Sequence, residues 1–243
     1  MRPLPQHALR SLALWVAAAL VLSSCATVRA HDAAAPSPTP PGSPRSDDAT
    51  AHHSFEDVAK WSKVFDDPAR DEWQKPQALV AALNLHPGTR VADLGAGTGY
   101  FSRYLSAAVG NDGTVFAVDT EPNLVAHLRE RAEHENTSNV VPILASADNP
   151  RLPVAGTDLI LIVDTYHHID GRREYFRRLQ RSLARGGRVA IIDYYKHDLP
   201  VGPPAIHKLA REQVVEEMTA AGYTLTQEPA VLPYQYFLIF RSR

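Results

Sequence analysis

The feature that most constrains the fold is a series of apolar runs that alternates with helix-like segments from Trp61 onward. The runs VFAV, LILIV and VAII are continuously apolar, which is typical of strands buried on both faces of a parallel sheet. This alternation predicts an α/β fold in which helices cover the sheet. Candidate strands span 90–94, 114–119, 140–144, 158–164 and 188–193, and candidate helices span 101–109, 121–134, 173–185 and 210–221.

The end of the chain has a different pattern. Two further candidate strands, 223–228 and 234–240, follow one another with a short proline-containing loop between them. Gly186-Gly187 and Gly222 predict the ends of the helices that precede them, because glycine commonly terminates helices. About 190 residues are available from His52 onward, which is enough for one domain with a full hydrophobic core.

The start of the chain resembles a secretion signal. Basic residues Arg2 and Arg10 precede an apolar run from Leu12 to Leu22, which is too short to span a bilayer, where about 20 apolar residues are needed. Cys25 is the only cysteine in the chain, and the residues before it resemble the bacterial lipoprotein box, in which the cysteine is acylated. We therefore expect residues 1–24 to be a lipoprotein signal peptide.

The predicted lipid on Cys25 determines the expected location. Residues 25–51 are rich in Pro, Ala and Ser, which predicts a tether between the lipid and the domain. We expect the protein in the bacterial cell envelope, lipid-anchored to the membrane on its periplasmic or outer side. Two alternatives remain open: a simple signal peptide with an incidental cysteine, and a misassigned translation start that leaves the protein in the cytoplasm.

A glycine-rich loop follows the first candidate strand. Gly95, Gly97 and Gly99 stand at a strand-to-helix turn, where a ligand can approach the backbone closely, although a purely structural turn is the alternative. The spacing differs from that of dinucleotide enzymes, and no lysine follows to make a phosphate-binding loop. Asp93 would repel a pyrophosphate, and Asp119, after the next strand, can accept hydrogen bonds from both ribose hydroxyls. These features favour a nucleoside that carries positive charge and no phosphate.

Residues 91–100, followed by 117–119, resemble the first two motifs of class I S-adenosylmethionine-dependent methyltransferases. The resemblance extends over residues 61–240 and implies a Rossmann-like methyltransferase fold. That fold is a doubly wound, mostly parallel seven-stranded sheet whose last strand is antiparallel. It also implies a methyltransferase domain at 90–243, preceded by an N-terminal helical lid at 52–89. The alternative for the lid is an amphipathic helix that only packs on the sheet.

The resemblance implies a role for each residue of a cofactor site. Gly95 and Gly97 accommodate the methionine part of S-adenosyl-L-methionine, Asp93 lies near its ammonium group, and Asp119 holds its ribose. Ala147 and Asp148 border the adenine, although Ala145-Ser146 departs from the family pattern in this loop. The further implied cofactor contacts are Ala96, Thr98, Gly99, Thr120 and Asp164.

Candidate catalytic residues lie at the ends of the later strands. Methyl transfer from a sulfonium needs mainly alignment and exclusion of water, so a general base is optional. The candidates are Asp164, His168 and Asp193, and loop packing is the alternative for the histidine. The histidine pairs 52–53 and 167–168 would supply at most one metal ligand each, so we expect no metal site.

The sequence thus predicts an S-adenosylmethionine-dependent methyltransferase that acts on a small-molecule acceptor. A formal net charge of −2 argues against electrostatic binding of nucleic acid. The alternatives are a non-catalytic module that binds an adenosyl ligand and an aminopropyl transferase, which usually has more acidic residues around its acceptor. An exported enzyme would need a supply of a cofactor that is made inside cells.

Overall fold

The computed structural model describes Ala49 and residues 54–243. The predicted signal peptide, Cys25, most of the tether and the pair His52-His53 lie outside the described residues. No helix within the described part is both long enough and apolar enough to cross a membrane.

In the described part, seven strands form one sheet in the order β3-β2-β1-β4-β5-β7-β6. Strands β1 to β5 pair in parallel with their neighbours, whereas β7 is antiparallel to both β5 and β6. This arrangement confirms the predicted fold class, including the antiparallel last strand. The strands are β1 (Arg90–Leu94), β2 (Thr114–Asp119), β3 (Val140–Leu144), β4 (Thr157–Val163), β5 (Leu183–Tyr194), β6 (Tyr223–Gln227) and β7 (Gln235–Ser242).

Helices cover both faces of this sheet. Leu159 and Leu161 of β4 belong to one buried cluster, and Ile160 and Ile162 belong to another, because successive side chains of a strand point to opposite faces. The first cluster includes residues of α3 and α4, and the second includes residues of α6 and α7. The helices are α1 (Val58–Phe65), α2 (Arg70–Gln74), α3 (Pro76–Ala82), α4 (Tyr100–Val109), α5 (Pro122–His134), α6 (Arg172–Leu179) and α7 (Arg211–Ala220).

The predicted helix 173–185 is wrong at its C-terminal end. Helix α6 ends at Leu179, a 3-10 turn follows, and β5 already begins at Leu183. The backbone N–H groups of Ala155 and Gly156 donate to carbonyls of this turn, and Leu183 pairs with Thr157 of β4. These long-range backbone bonds override the local helix preference of the segment. Gly186-Gly187 therefore lies in an irregular part of β5 and does not end a helix.

A buried ion pair joins α6 to α7. Arg172 donates to both carboxylate oxygens of Glu217, at 2.7 and 3.0 Å, and Tyr166 donates its hydroxyl to the same carboxylate at 2.9 Å. Both charged side chains are almost fully buried. Removal of Glu217 would take the carboxylate away from this buried guanidinium, and breaking such a buried pair is costly.

Glu217→Ala should therefore lower the free energy of unfolding by about 3–5 kcal/mol. Glu174→Ala is the control, because its partners Arg177 and Arg178 are exposed and such pairs contribute at most about 1 kcal/mol. Urea unfolding followed by circular dichroism measures both values. Equal losses in the two variants would contradict a special role for the buried pair.

Candidate functional site

A cavity of about 540 Å³ lies at the carboxyl ends of β1, β2 and β4. Ligands of open α/β sheets bind at this edge, and small-molecule sites commonly have volumes of about 300–1,000 Å³. The structure brings most of the predicted site residues to its wall: Asp93, Gly95, Ala96, Gly97, Thr98, Asp119, Thr120, Ala147, Asp164 and His168.

Gly99, Asp148 and Asp193 were also predicted to belong to the site, but they do not line the cavity. Gly99 has a φ of +90° at the start of α4, and a Cβ there would lie 2.8 Å from the side chain of Leu128. Packing against α5 thus requires a residue without a Cβ at position 99. Asp148 is exposed and accepts a hydrogen bond from Ser146. Asp193 is fully buried behind the cavity wall, where it contacts a residue that does line the cavity.

The glycine loop joins β1 to α4 with its backbone against the cavity. Gly95 and Gly97 have φ values of +79° and +58°, which side-chain-bearing residues rarely adopt. A Cβ on Gly95 would overlap the side chain of Thr165, and one on Gly97 would lie 3.3 Å from the ring of Phe65. The hydroxyl oxygen of Thr98 is buried with no hydrogen-bond partner among the described residues. The loop therefore requires glycine at both positions and carries an unused polar atom at the cavity wall.

A row of carboxylates stands at the carboxyl ends of the adjacent strands β2, β1, β4 and β5. It consists of Asp119, Asp93, Asp164 and Asp193. Burial raises the pKa of Asp93 to about 6, although Ser102 partly offsets this by donating a hydrogen bond at 2.7 Å. Burial also raises the pKa of Asp164 to about 6 and raises that of Asp119. A cationic ligand would stabilise the charged forms of these groups.

The carboxylate of Asp119 is oriented by the backbone. One oxygen accepts a hydrogen bond from the N–H of Gly97 at 2.8 Å, and the other accepts one from the N–H of Glu121 at 3.0 Å. Because a carboxylate accepts up to about four hydrogen bonds, Asp119 retains capacity for a ligand beside its backbone partners, which include Thr120. The arrangement suits a ligand hydroxyl group, such as one of a ribose.

Asp164 connects several elements at the cavity wall. It follows β4 with a φ of +54°, a conformation that costs a non-glycine residue free energy. Its carboxylate accepts hydrogen bonds from Arg70 and from the hydroxyl of Tyr194, each at 3.3 Å, and from the amide of Gln235. Gln74 donates to Gln235 at 2.6 Å, so α2 is attached to the ends of β4, β5 and β7. No motif in the sequence indicates Arg70 or Gln235.

His167, which the sequence did not single out, contacts a buried carboxylate. Its Nδ1 lies 2.8 and 3.0 Å from the two carboxylate oxygens of Asp193, and it lines the cavity while only 3% exposed. Burial lowers the pKa of His167, but the Asp193 carboxylate outweighs this effect and raises the pKa overall. His168 lies on the same wall, with its ring 5.8 Å from that of Phe55. The sequence shows the histidine pair but not which member meets Asp193.

Aromatic residues from the N-terminal helices form another wall of the cavity. The ring of Trp61 lies 4.8 Å from that of Phe55 and 5.2 Å from that of Phe65, and all of these residues line the cavity. Arg131 of α5 donates to Asp66, just after α1, at 2.9 Å and to the carbonyl of Thr98 at 3.0 Å. These contacts hold the end of α1 beside the glycine loop. Among the described residues, no group of three or more His, Cys, Asp or Glu side chains is placed to hold a metal ion.

Comparisons with known proteins agree with this geometry. Residues 91–187 match the methyltransferase domain family. The chain is similar to the crystal structure of an S-adenosylmethionine-dependent methyltransferase from Aquifex aeolicus, with 25% identity and a TM-score of 0.73 over 79% of this chain and 100% of that one. The family and this neighbour imply S-adenosyl-L-methionine as the cofactor.

Curated relatives point to the same activity. A ubiquinone/menaquinone biosynthesis C-methyltransferase from Ectopseudomonas mendocina is 25% identical over 61% of this chain and 57% of that protein. An arsenite methyltransferase from Halobacterium salinarum is 32% identical over 49% of this chain and 29% of that protein. The chain thus spans less than two thirds of the length of these relatives. Both relatives are methyltransferases by name.

The residues of the cavity fit this cofactor. Gly95 and Gly97 line the cavity without a Cβ, and the hydroxyl of Thr98 lacks a partner among the described residues. Asp119 presents free lone pairs to a ribose, and the buried Asp93 suits an ammonium group.

Asp119→Ala should weaken binding of S-adenosylhomocysteine by about 1.5–3 kcal/mol, the usual loss for hydrogen bonds to a charged acceptor. Asp148→Ala is the control and should bind normally, because this residue lies outside the cavity. Isothermal titration calorimetry measures both affinities. Unchanged affinity in Asp119→Ala would refute the ribose contact, and a comparable loss in Asp148→Ala would restore its predicted adenine contact.

Proposed function

We propose that this protein, whose residues 91–187 match a methyltransferase domain, transfers the methyl group of S-adenosylmethionine to a hydroxyl group of a small, largely apolar acceptor. The observation that carries the proposal is that His167, held by the buried Asp193, lines the same cavity as the glycine loop. A base that is oriented by a carboxylate is suited to an acceptor that must lose a proton.

When bound, the cofactor supplies a methyl group on a positively charged sulfur, ready for in-line displacement. Asp119 and the loop around Gly97 hold the adenosyl part in place. His167 accepts the hydroxyl proton of the acceptor, and Asp193 stabilises the imidazolium that forms through its contact with Nδ1. Aromatic side chains of the N-terminal segment, which we propose acts as a lid, exclude water from the reacting groups.

The walls of the cavity favour this acceptor over that of an aminopropyl transferase. Phe55, Trp61 and Trp73 give it an aromatic surface, which suits an apolar molecule. A module that only binds an adenosyl ligand would have no chemical use for a histidine with a buried carboxylate partner.

His167→Asn should lower kcat for hydroxyl acceptors by about 10²–10⁴-fold, the usual loss of a general base, and should leave cofactor affinity unchanged. Because the pKa of His167 is raised, wild-type kcat/KM should fall as the pH drops through a value above the ordinary imidazole pKa of about 6.5. The variant should lack this part of the pH profile. Transfer of labelled methyl groups to a panel of phenols and aliphatic alcohols measures both effects.

His168→Asn is the matched control for this experiment and should lose less than about 100-fold in turnover. If His167→Asn kept its activity and its pH profile, the base assignment would be wrong. If the wild-type protein bound the cofactor tightly and methylated no member of the panel, the non-catalytic module would be favoured.

We further propose that the protein is anchored to the cell envelope by a lipid on Cys25 and that it does not bind nucleic acid. The leader pattern and the single cysteine support the anchor, and the net charge of −2 supports the second expectation. The Pro-rich segment after the cysteine would hold the domain away from the membrane.

In a bacterial host, the full chain should fractionate with membranes, incorporate labelled fatty acid and lose its first 24 residues. Cys25→Ala should abolish the label, because Cys25 is the only cysteine in the chain, and should leave the affinity for the cofactor unchanged. Membrane fractionation with mass spectrometry of the N-terminus tests this. Unlabelled wild-type protein in the cytoplasm would refute the anchor and favour a misassigned start.

A further inference from the structure

We infer that Arg70 binds the carboxylate of the methionine part of the cofactor, so that α2 completes the cofactor site from outside the sheet domain. The inference rests on the proposed use of S-adenosylmethionine and extends it to a residue that no motif indicates. Its consequence is selection for a ligand that ends in a complete amino acid.

Arg70 is placed beside the glycine loop by its packing. Its guanidinium carbon lies 4.3 Å from the ring centre of Tyr100, the residue that directly follows the loop. One of its N–H groups donates to the carbonyl of Phe65 at 3.1 Å, and the ring of Phe65 lies 3.3 Å from the position that a Cβ of Gly97 would occupy. The side chain is 13% exposed and lines the cavity.

The charges around Arg70 match the two ends of a zwitterion. An α-amino acid carries its ammonium and its carboxylate on the same carbon, so a site for both needs an anion and a cation close together. The positive charge of Arg70 acts on the buried Asp93 strongly enough to counteract part of the rise in its pKa. Among the described residues that line the cavity, Arg70 is the only arginine or lysine.

Arg70 has the capacity to accept a carboxylate. A guanidinium has five N–H donors, and the recorded bonds of Arg70 are directed to Gln74, Asp164 and Phe65. These bonds measure 3.1–3.3 Å, whereas charged arginine–carboxylate bonds are usually about 2.7–2.9 Å. A ligand carboxylate can therefore form shorter bonds than the present ones.

Asp164 would not be left without partners if Arg70 turned to the ligand. It also accepts hydrogen bonds from the hydroxyl of Tyr194 and from the amide of Gln235. Its carboxylate thus keeps two hydrogen-bond donors, which stabilise its charged form when Arg70 turns to the ligand. Asp164 acts in this arrangement as a positioning residue that holds Arg70 at the cavity wall before the ligand arrives.

The test uses two adenosyl thioethers that differ only in the carboxylate. S-adenosylhomocysteine has it, and 5′-deoxy-5′-(3-aminopropylthio)adenosine lacks it. The wild-type full chain should bind the first about 10- to 100-fold more tightly, as expected for hydrogen bonds between charged groups. In Arg70→Leu, affinity for S-adenosylhomocysteine should fall to that for the analogue, whose own affinity should be unchanged. Calorimetry measures the four affinities, and unchanged binding of the analogue reports an intact fold.

Two further variants sharpen the result. Arg103→Leu is the matched control, because Arg103 also lies over the ring of Tyr100, at 5.3 Å, but does not line the cavity, so the preference should persist. Arg70→Lys should retain part of the preference, since it keeps the charge without the paired N–H groups.

The outcomes separate this inference from the proposal on which it rests. If the wild-type protein binds both ligands equally, or if Arg70→Leu keeps the preference, the Arg70 assignment is wrong and the adenosyl site stands. If the wild-type protein binds neither ligand, the proposed cofactor is wrong, and the role of Arg70 is refuted with it.

Discussion

Carboxylates are buried at one edge of the parallel sheet, and the surrounding elements are placed so that they supply partners for these groups. Because β2, β1, β4 and β5 run in the same direction, their carboxyl ends meet at this edge, and each brings one acidic side chain to it. Charged groups in such a place need donors or cations. Ser102 donates a hydrogen bond to Asp93, and the backbone of the glycine loop donates one to Asp119. Arg70 pairs with Asp164, and His167 pairs with Asp193. Except for Ser102, these partners lie in the cavity wall.

This arrangement explains why residues before the sheet domain belong to the site. The α2 helix supplies Arg70 to Asp164 and, through Gln74, reaches Gln235 of β7. Arg131 holds the end of α1 beside the loop. The matched domain family begins only at residue 91, so the cavity takes one wall from a segment that the family does not cover. Acceptor specificity is expected to depend on that segment.

The parts of the fold that the sequence predicted well are those governed by local pattern. The bounds of β1, β2 and β3 agree with the predicted strands, and polar or glycine residues limit both ends of β1 and β2. The glycine loop and Asp119 were also predictable, because a strand-to-helix turn fixes their positions along the chain. The junction of α6 and β5 was not, since backbone pairing with Thr157, far away in the sequence, determines where the strand begins.

The polar partners could not be predicted for a related reason. Arg70 and Asp164 are 94 residues apart, and His167 and Asp193 are 26 apart, so no spacing within one element relates them. Neighbouring histidines also point in different directions, and only the described structure shows that His167 meets the carboxylate. The sequence indicates which residue types gather at the strand ends, whereas packing decides which of them pair.

A crystal structure of the protein with S-adenosylhomocysteine would show whether the edge of buried carboxylates holds the cofactor. We expect a ribose hydroxyl within hydrogen-bond distance of Asp119 and the adenine beside Ala147. We also expect the amino-acid end between Asp93 and Arg70, with the sulfur facing His167. A ligand bound elsewhere, or bound in this cavity without contact to Asp119, would show that these carboxylates do not form the cofactor site.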